Sequence, residues 1–285
     1  MKNKILVAGG DLRQVFLAMS LSREYDTYIY GIDDEAYTEN LKKDNGKDIY
    51  DAIILPIPVT NDGETLFTPF SEKKILLSEI AEKVKKGGII FGGKFGISEK
   101  MFKGKETETI DYLSREELSV MNAVATAEGA LGIAMEETPE TIFGNKILIT
   151  GFGRIAKTLA KILVAMGADV TVCARKKSDI AWAEIFGCKG SDFSLLDETS
   201  DFKIIFNTVP TEIFTKERLS LLNPSAVIID LASKPGGVDF SSASLMGIKT
   251  IWALSLPGKV APVTSGEIIA KTIRNILTER GDMNV

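Results

Sequence analysis

The feature that most constrains the fold of this chain is the stretch from residue 146 to residue 175, KILITGFGRIAKTLAKILVAMGADVTVCAR. A short apolar run ends on small residues, a glycine-rich turn follows at once, and apolar residues then recur at helical spacing up to Met166. Gly167 ends that pattern, and residues 170–174 have the branched, apolar character of a second strand. This order of strand, tight turn, helix and strand predicts a β-α-β unit.

The turn of this unit has the G-x-G-x-x-A spacing of a dinucleotide-binding motif. Gly151 would allow the sharp turn out of the strand, Gly153 would let the backbone approach a pyrophosphate, and Ala156 takes the third small position. The pyrophosphate would lie on the free amides at the positive end of the helix dipole. An ordinary glycine-rich turn is the alternative. We predict cofactor contacts from Gly151, Phe152, Gly153, Arg154 and Ile155.

The end of the second strand indicates which dinucleotide binds. An NAD site usually places Asp or Glu about 20 residues after the first glycine, to hold the ribose 2′-hydroxyl. Here the strand ends in Ala174-Arg175-Lys176-Lys177, without a carboxylate. Adjacent cations suit a 2′-phosphate, which Arg175 could hold with two hydrogen bonds. The sequence therefore predicts NADP, with Arg175 and Lys176 as contacts, although a solvated basic turn would look the same.

Two loops in the second half of the chain are expected to lie beside the cofactor. They follow strands predicted at residues 204–207 and 226–230, and ligands of open parallel sheets bind at the carboxyl ends of strands. These loops would line the ribose and nicotinamide. A last strand at residues 250–254 also ends in a proline-containing loop. The predicted contacts are Thr208, Val209, Pro210, Leu231, Ala232, Ser233 and Pro257.

The first half of the chain predicts a similar fold without a cofactor. Strands are predicted near residues 4–8, 28–31, 52–55 and 89–91, with helices between them. The turn after the first strand lacks the G-x-G-x-x-G spacing. Asp11 would also place a carboxylate where a phosphate should lie.

We therefore predict an α/β protein of two doubly wound parallel-sheet domains with a cleft between them. Residues 1–121 form a flavodoxin-like α/β domain. Residues 122–285 form a Rossmann NADP-binding domain. The last helix, at about residues 264–280, is expected to pack back on the first domain.

The composition excludes several kinds of chemistry. The chain has no histidine, which excludes Ser-His-Asp and Cys-His catalysis and leaves a zinc site only cysteines and carboxylates, so no metal is expected. A net charge of −5 argues against nucleic acid as a partner. We find no apolar run of about 18 residues and no signal peptide, so we expect a cytoplasmic protein without membrane contact. Cys173 and Cys188 are expected to be free thiols.

Five strings in order along nearly the whole chain resemble one known family. They are GGDLRQ (9–14), TAEG (126–129), GFGRIAKTLA (151–160), IIDLASKPGGVDF (228–240) and ALSLPGKVAPVTSGEII (253–269). Together they are similar to the A subunit of dipicolinate synthase, the NADP-binding component of the sporulation enzyme that makes pyridine-2,6-dicarboxylate. Ala156 in place of a third glycine, and Ala125 where proline is expected, depart from the family pattern.

The resemblance implies a fold like that of alanine dehydrogenase and the 2-hydroxyacid dehydrogenases, with two α/β domains. It implies oxidation of a dicarboxylate, 4-hydroxy-tetrahydrodipicolinate or its dehydrated form, to aromatic dipicolinate. It also implies a flavoprotein-like partner, the B subunit of dipicolinate synthase, and a place in the mother cell of a sporulating bacterium. A homo-oligomer is expected because closed symmetric assemblies are the usual case.

Three residues are catalytic candidates for that reaction. Glu128 is the candidate acid/base, because it is a carboxylate among small residues and no histidine competes for the role. The alternative is a helix-terminal glutamate favoured by the dipole. Lys259 and Asp230 are the other candidates, although Asp230 could instead anchor the following loop through backbone amides.

Cations beside glycine- or proline-rich loops are the candidate ligands of the substrate carboxylates, and the alternative for each is a surface cation. Backbone amides near helix starts could assist. The cations are Arg13, Lys94, Lys234 and Lys259, and the amides are those of Thr126 and Ser265.

Two other functions stay open on sequence grounds. One is another NADP-dependent dehydrogenase of the amino-acid or hydroxyacid type. The other is a non-catalytic NADP(H)-binding subunit whose chemistry a partner completes.

Overall fold

The computed structural model describes residues 3–102 and 106–281, except for the side chain of Ile97. These residues form two compact units. Unit 1 contains the described residues up to Met121 and those from Ala261 onward, and unit 2 runs from Asn122 to Val260. From the sequence, residues 122–285 are predicted to form the second domain. In the structure, the described residues from Ala261 onward make most of their contacts within unit 1.

Unit 1 is built on a parallel sheet of six strands in the order β3-β2-β1-β4-β5-β6. Three helices connect the strands, and short 3₁₀ turns lie at Gly96–Met101 and Tyr112–Ser114. The strands are β1 Lys4–Ala8, β2 Asp26–Tyr30, β3 Lys42–Lys43, β4 Tyr50–Ile54, β5 Val84–Gly92 and β6 Glu108–Asp111. The helices are α1 Leu12–Leu21, α2 Glu35–Thr38 and α3 Leu77–Glu82.

Both faces of this sheet are covered, as the continuous apolar sequence of its central strand requires. Along β1, Ile5 and Val7 join one core cluster, whereas Leu6 and Ala8 join another. Alternate residues of a strand point to opposite faces, so β1 contributes to two hydrophobic layers at once.

Helix α4, Glu116–Glu137, continues from unit 1 into unit 2 without a break. Small residues dominate residues 122–129, and the helix continues through them. Alanine has the highest helix propensity, so the small residues extend the helix. By length and composition alone α4 could cross a membrane. Within unit 2, however, Ala127, Ala130 and Ala134 lie in the core, which is the packing of a buried helix in a globular domain.

Unit 2 repeats the same architecture, with the strand order β12-β11-β10-β7-β8-β9 and parallel pairing throughout the described sheet. A 3₁₀ turn lies at Phe193–Asp197. The strands are β7 Lys146–Thr150, β8 Asp169–Cys173, β9 Lys189–Ser191, β10 Ile204–Asn207, β11 Val227–Asp230 and β12 Lys249–Trp252. The helices are α5 Arg154–Ala165, α6 Lys177–Ile185, α7 Lys216–Leu219, α8 Phe240–Leu245 and α9 Leu256–Val260.

Helix α10, Pro262–Arg280, completes unit 1 by packing on α1. Gly266 makes the approach close, because a Cβ there would lie 2.5 Å from the Arg13 carbonyl oxygen. Ion pairs hold the outer part of the helix, and they join Arg274 to Glu24, Glu279 to Arg115 and Arg280 to Glu108.

The strand order of each unit is that of a doubly wound dinucleotide fold, in which the order reverses beside the first strand. In unit 2 this switch point lies between β7 and β10. The predicted fold class, two doubly wound parallel sheets with interleaved helices, is confirmed.

Candidate dinucleotide-binding site

The turn between β7 and α5 has the geometry that a dinucleotide motif requires at its first glycine. Gly151 has φ of 86°, a left-handed conformation that favours glycine. Its amide donates to the Cys173 carbonyl oxygen at 2.8 Å. A Cβ at this position would lie 2.4 Å from Oγ1 of Thr208, so glycine lets the loop after β10 approach the turn.

The second glycine of the motif faces open space. Gly153 is the N-cap of α5, and no atom of a described residue lies within 4 Å of the position a Cβ would occupy, leaving aside Gly153 and its two chain neighbours. The first turn of α5 has no acidic residue and no side-chain cap. Free amides at the positive end of a helix dipole bind anions, so this region fits a pyrophosphate.

The remaining residues of the turn divide between core and surface. The Phe152 ring is 5% exposed and packs edge-on against Phe186, with ring centroids 5.8 Å apart. It is a core residue, so its backbone is what the turn offers to a cofactor. Ile155 is half-buried and Arg154 is exposed.

The basic turn after β8 is exposed at Arg175 and Lys176. Neither side chain makes an ion pair with any residue that the structure describes, whereas the next cation, Lys177, lies 3.4 Å from Asp192. Arg175 and Lys176 are therefore available to an external anion.

Three fully buried polar side chains link the carboxyl ends of β7, β10 and β11. They are Thr150, Asn207 and Asp230, and each is 0% exposed. Thr150 Oγ1 donates to Asn207 Oδ1 at 2.7 Å, and Asn207 Nδ2 donates to Asp230 Oδ1 at 2.7 Å. The three residues are neighbours in strand register, so the sheet itself holds the network in place.

Asn207 uses its whole side-chain amide in this network. Nδ2 also donates to the Val209 carbonyl oxygen at 3.0 Å, and Oδ1 also accepts from the Val209 amide at 3.1 Å. The next residue, Thr208, donates from its hydroxyl to the Thr150 carbonyl oxygen at 2.8 Å. Asn207 thereby fixes the loop after β10. Pro210 follows at the exposed end of this loop.

Asp230 fixes the loop after β11 in the same way. Its Oδ1 also accepts from the Ala232 amide at 3.0 Å, and its Oδ2 accepts from the Gly237 amide at 2.8 Å. With no exposed surface, Asp230 cannot contact a reacting atom in this conformation. The prediction that it is catalytic is therefore corrected, and the alternative, an anchor for the following loop, agrees with its hydrogen bonds.

Glycine is required at positions 236 and 237 because the side chains of Asn207 and Asp230 lie so close to the backbone there. A Cβ on Gly237 would lie 2.2 Å from Asn207 Nδ2, and one on Gly236 would lie 3.0 Å from Asp230 Oδ2. Trp252 Nε1 donates to the Ala232 carbonyl oxygen at 2.9 Å, which holds the loop from its other side. Along this loop Leu231 and Ala232 are buried, and Ser233 is exposed.

Thr150 and Asn207 are absent from the residues predicted from the sequence. Their signal is that three apolar strands each end in a polar residue at the same edge of the sheet. The sequence does not show which strands are neighbours, and the contact between these residues depends on the strand order.

Two of the predicted catalytic residues of unit 2, Glu128 and Lys259, are chain neighbours of Gly129 and Val260, which meet where α4 and α9 pack. Glu128 is exposed in the middle of α4 and not at a helix end, so the alternative of a helix-terminal glutamate is corrected. Helix α9, which carries the exposed Lys259, packs where Gly129 leaves room: a Cβ there would lie 3.2 Å from Val260. Glu128 and Lys259 make no ion pair with other described residues. Lys234 is exposed in the loop after β11, and Pro257 is half-buried in α9.

The predicted backbone donors are not free. Thr126 lies inside α4, where backbone amides bond within the helix, and its hydroxyl donates to the Asn122 carbonyl oxygen. The Ser265 amide donates to the Ala261 carbonyl oxygen at 2.9 Å. The prediction that these two amides hold a substrate carboxylate is therefore wrong.

The predicted cations of unit 1 differ in their availability. Arg13 is held by both oxygens of Asp11, each at 2.8 Å, and donates to the Ile57 carbonyl oxygen. The Lys94 side chain is exposed, while its amide lies 3.2 Å from Asp111 Oδ2. Lys94 makes no ion pair with the residues that the structure describes, whereas Arg13 already has a carboxylate partner.

Both cysteines are free and buried in unit 2. Burial raises the pKa of the Cys173 thiol to about 12 and that of the Cys188 thiol to about 11. Because thiolates are the reactive form, these residues are core hydrophobes without nucleophilic character. Within the described ranges, no group of three Cys, Asp or Glu residues could hold a metal ion.

The fold and this site define a nicotinamide dinucleotide-binding dehydrogenase. Residues 117–235 match the D-isomer specific 2-hydroxyacid dehydrogenase NAD binding domain, and residues 4–113 match the N-terminal domain of the dipicolinate synthase A subunit. The chain is 32% identical to the A subunit of dipicolinate synthase from Bacillus subtilis (strain 168), over 97% of this chain and 96% of that protein. It belongs to the family of dipicolinate synthase A subunits.

Solved structures agree with this family assignment. The A subunit of dipicolinate synthase from Bacillus halodurans is 30% identical, with a TM-score of 0.87 over 96% of this chain and 97% of that one. A transhydrogenase from Sinorhizobium meliloti, at 14% identity, has a TM-score of 0.71 over 99% of this chain and 94% of that one. At 14% identity, the similarity to the transhydrogenase concerns the fold alone.

We predict that Gly153→Ala lowers dinucleotide affinity about tenfold, because the methyl group would occupy the space needed for the pyrophosphate. Stability should change little, by about 0.5 kcal/mol, because only the N-cap preference is lost. Isothermal titration calorimetry and thermal unfolding measure the two effects.

Gly132→Ala is the control for this variant, because its Cβ position is also open and it belongs to α4 rather than to the turn. It should leave affinity unchanged. Equal affinity of Gly153→Ala and the unaltered chain would show that the pyrophosphate does not bind at this turn.

Proposed function

We propose that this chain is the NADP-dependent oxidoreductase subunit of a dipicolinate synthase, oxidising 4-hydroxy-tetrahydrodipicolinate or dihydrodipicolinate to dipicolinate. The observation that carries the proposal is the 32% identity over 97% of the chain to the Bacillus subtilis protein of that name. The open position at Gly153 supports a role for the chain in binding the cofactor itself.

The reaction places modest demands on the protein. Loss of water gives a dihydropyridine, and loss of a hydride and a proton then gives the aromatic ring. The bound nicotinamide supplies the hydride acceptor. Because aromatisation drives the reaction, the side chains mainly need to position the ring, hold two carboxylates and accept one proton.

The exposed groups of unit 2 fit these roles. Glu128 is the proposed base, because its carboxylate is exposed and makes no ion pair with other described residues. Lys234 and Lys259 are exposed and could bind the substrate carboxylates. Lys94 of unit 1 is also exposed, and binding of an anionic group is proposed for it.

NADP is the proposed dinucleotide. Arg175 and Lys176 follow β8, the strand whose end meets the adenosine ribose in this fold, and both are free of ion pairs with described residues. A 2′-phosphate would accept charge-assisted hydrogen bonds from them. The 2′-hydroxyl of NAD would normally need a carboxylate, which the sequence from Ala174 to Lys177 lacks.

The family also suggests how the chain works in the cell. The Bacillus subtilis relative is named as one component of a larger enzyme, so we propose a flavoprotein-like B subunit as partner, in the mother-cell cytoplasm of a sporulating bacterium. We further propose a homo-oligomer. A dehydrogenase of another amino acid or hydroxyacid, or a component that binds NADP(H) without catalysis, remains the alternative.

The proposed reaction is tested by ultraviolet absorbance of the pyridine product. The chain, alone and then with the B subunit, receives enzymatically generated 4-hydroxy-tetrahydrodipicolinate and NADP⁺. We expect product in at least one mixture. If neither mixture forms product although NADP(H) binds, the synthase proposal fails and a different dehydrogenase becomes the better hypothesis. Product only with the B subunit present would favour the non-catalytic binding role.

In the same assay we predict that Glu128→Gln lowers kcat about 100-fold, because the amide cannot accept the proton. Dinucleotide affinity should not change. Glu136→Gln, an exposed glutamate of the same helix, is the matched control and should retain activity. Full turnover by Glu128→Gln would remove it from the mechanism.

We predict that Arg175→Gln weakens NADP⁺ binding about tenfold and leaves NAD⁺ binding nearly unchanged, because only the 2′-phosphate contact is lost. Equilibrium titrations with both dinucleotides measure the difference. Lys177→Gln is the control from the same turn, since its ammonium group already faces Asp192. Equal losses for NADP⁺ and NAD⁺ would contradict a 2′-phosphate site.

A further inference from the structure

Asp230 has a fully buried carboxylate that makes no ion pair with the Lys or Arg residues that the structure describes. Both of its carboxylate oxygens are held by hydrogen bonds, from the Asn207 side chain and the amides of Ala232 and Gly237. All three groups are N–H donors, which is the pattern of an ionised carboxylate. No Lys or Arg in the described parts of the chain pairs with it. Burial of an unpaired charge is costly, so these donors stabilise an anion but do not neutralise it.

The surroundings of this carboxylate screen its charge weakly. Gly236 lies against Oδ2, and its missing Cβ would also lie 3.4 Å from the rings of Phe240 and Trp252. Those two rings are stacked, with centroids 5.3 Å apart. The nearest cation in sequence, Lys234, is exposed and solvated. A charge among apolar groups acts over a longer distance than one in water.

The negative charge of Asp230 lies where it can act on the nicotinamide ring. It is the last residue of β11, at the edge of the sheet where dinucleotides bind, and its loop is on the nicotinamide side in this strand order. The oxidised nicotinamide ring carries a positive charge, and the reduced ring is neutral. A buried anion at this edge therefore stabilises the oxidised ring more than the reduced one.

We propose that Asp230 makes the site selective for the oxidised dinucleotide over the reduced one. The proposal rests on the proposed function, and it gives Asp230 a role that goes beyond anchoring a loop. In a reaction driven by aromatisation, weak retention of the reduced product would speed cofactor exchange. Asp230 is a specificity determinant that acts through its charge, without contacting the substrate.

An anchoring role and an electrostatic role predict different results for Asp230→Asn. Loss of the anchor would disturb the loop and weaken the binding of the oxidised and the reduced cofactor by a similar factor. A lost charge changes the ratio of the two dissociation constants. The ratio therefore separates the two roles even if the substitution also disturbs the loop.

The experiment measures dissociation constants of NADP⁺ and NADPH for the unaltered chain, Asp230→Asn and Asp239→Asn. We expect the unaltered chain to bind NADP⁺ more tightly than NADPH, and Asp230→Asn to shift the ratio about tenfold toward NADPH. Asp239 is half-buried and caps α8 through Ser242, so its amide variant keeps the cap and serves as the matched control. Its ratio should stay within about twofold of the original.

The proposal is overturned if Asp230→Asn is folded by circular dichroism and leaves the ratio unchanged. If that variant does not fold, the two dissociation constants of the unaltered chain test the proposal. The proposal is overturned if the unaltered chain binds NADPH as tightly as NADP⁺. If the chain prefers NAD, the same ratio is measured with NAD⁺ and NADH. Failure to bind either dinucleotide in either form would instead refute the proposed function on which this selectivity rests.

Discussion

The hydrogen bonds among Thr150, Asn207 and Asp230 are the interaction on which the dinucleotide site depends. They join three neighbouring strand ends that are far apart in the sequence, and water reaches none of the three side chains. Hydrogen bonds in such a dry setting are strong when complete and costly when one partner is missing. The network therefore allows few arrangements of the loops after β10 and β11. The glycines at 236 and 237 follow from it, since any side chain there would collide with the network.

The two units show how one topology serves different purposes. Both have the same strand order, and each has a glycine-rich turn between its first strand and first helix. In unit 2 the second glycine of that turn faces open space at the start of α5. In unit 1 the corresponding helix start is capped by Asp11, whose carboxylate also binds Arg13. The loop at Phe67 hydrogen-bonds to Gly10 on the other side. A carboxylate at that position repels a phosphate, and the same fold therefore need not bind the same ligand.

The sequence predicts features that depend on local spacing and misses those that depend on distant pairing. The fold class and the dinucleotide turn are encoded within about 30 consecutive residues, the length of a β-α-β unit, which is why they were predictable. Asn207 was missed because its partners lie 57 and 23 residues away. Thr126 is predicted near a helix start, but the alanine-rich segment around it continues α4. The roles proposed for Glu128, Lys234 and Lys259 rest on exposure and the family assignment, since residue chemistry alone does not specify which substrate a cation binds.

We propose that unit 2 binds its nicotinamide dinucleotide across the switch point, between the start of α5 and the loops that the buried network fixes. A crystal structure of the chain with NADP⁺ measures this directly. The pyrophosphate should lie against the amides at Gly153 and Arg154, the 2′-phosphate beside Arg175, and the nicotinamide at the edge formed by the loops after β10 and β11. A cofactor bound in unit 1, or one in unit 2 with its pyrophosphate away from Gly153, would contradict the claim.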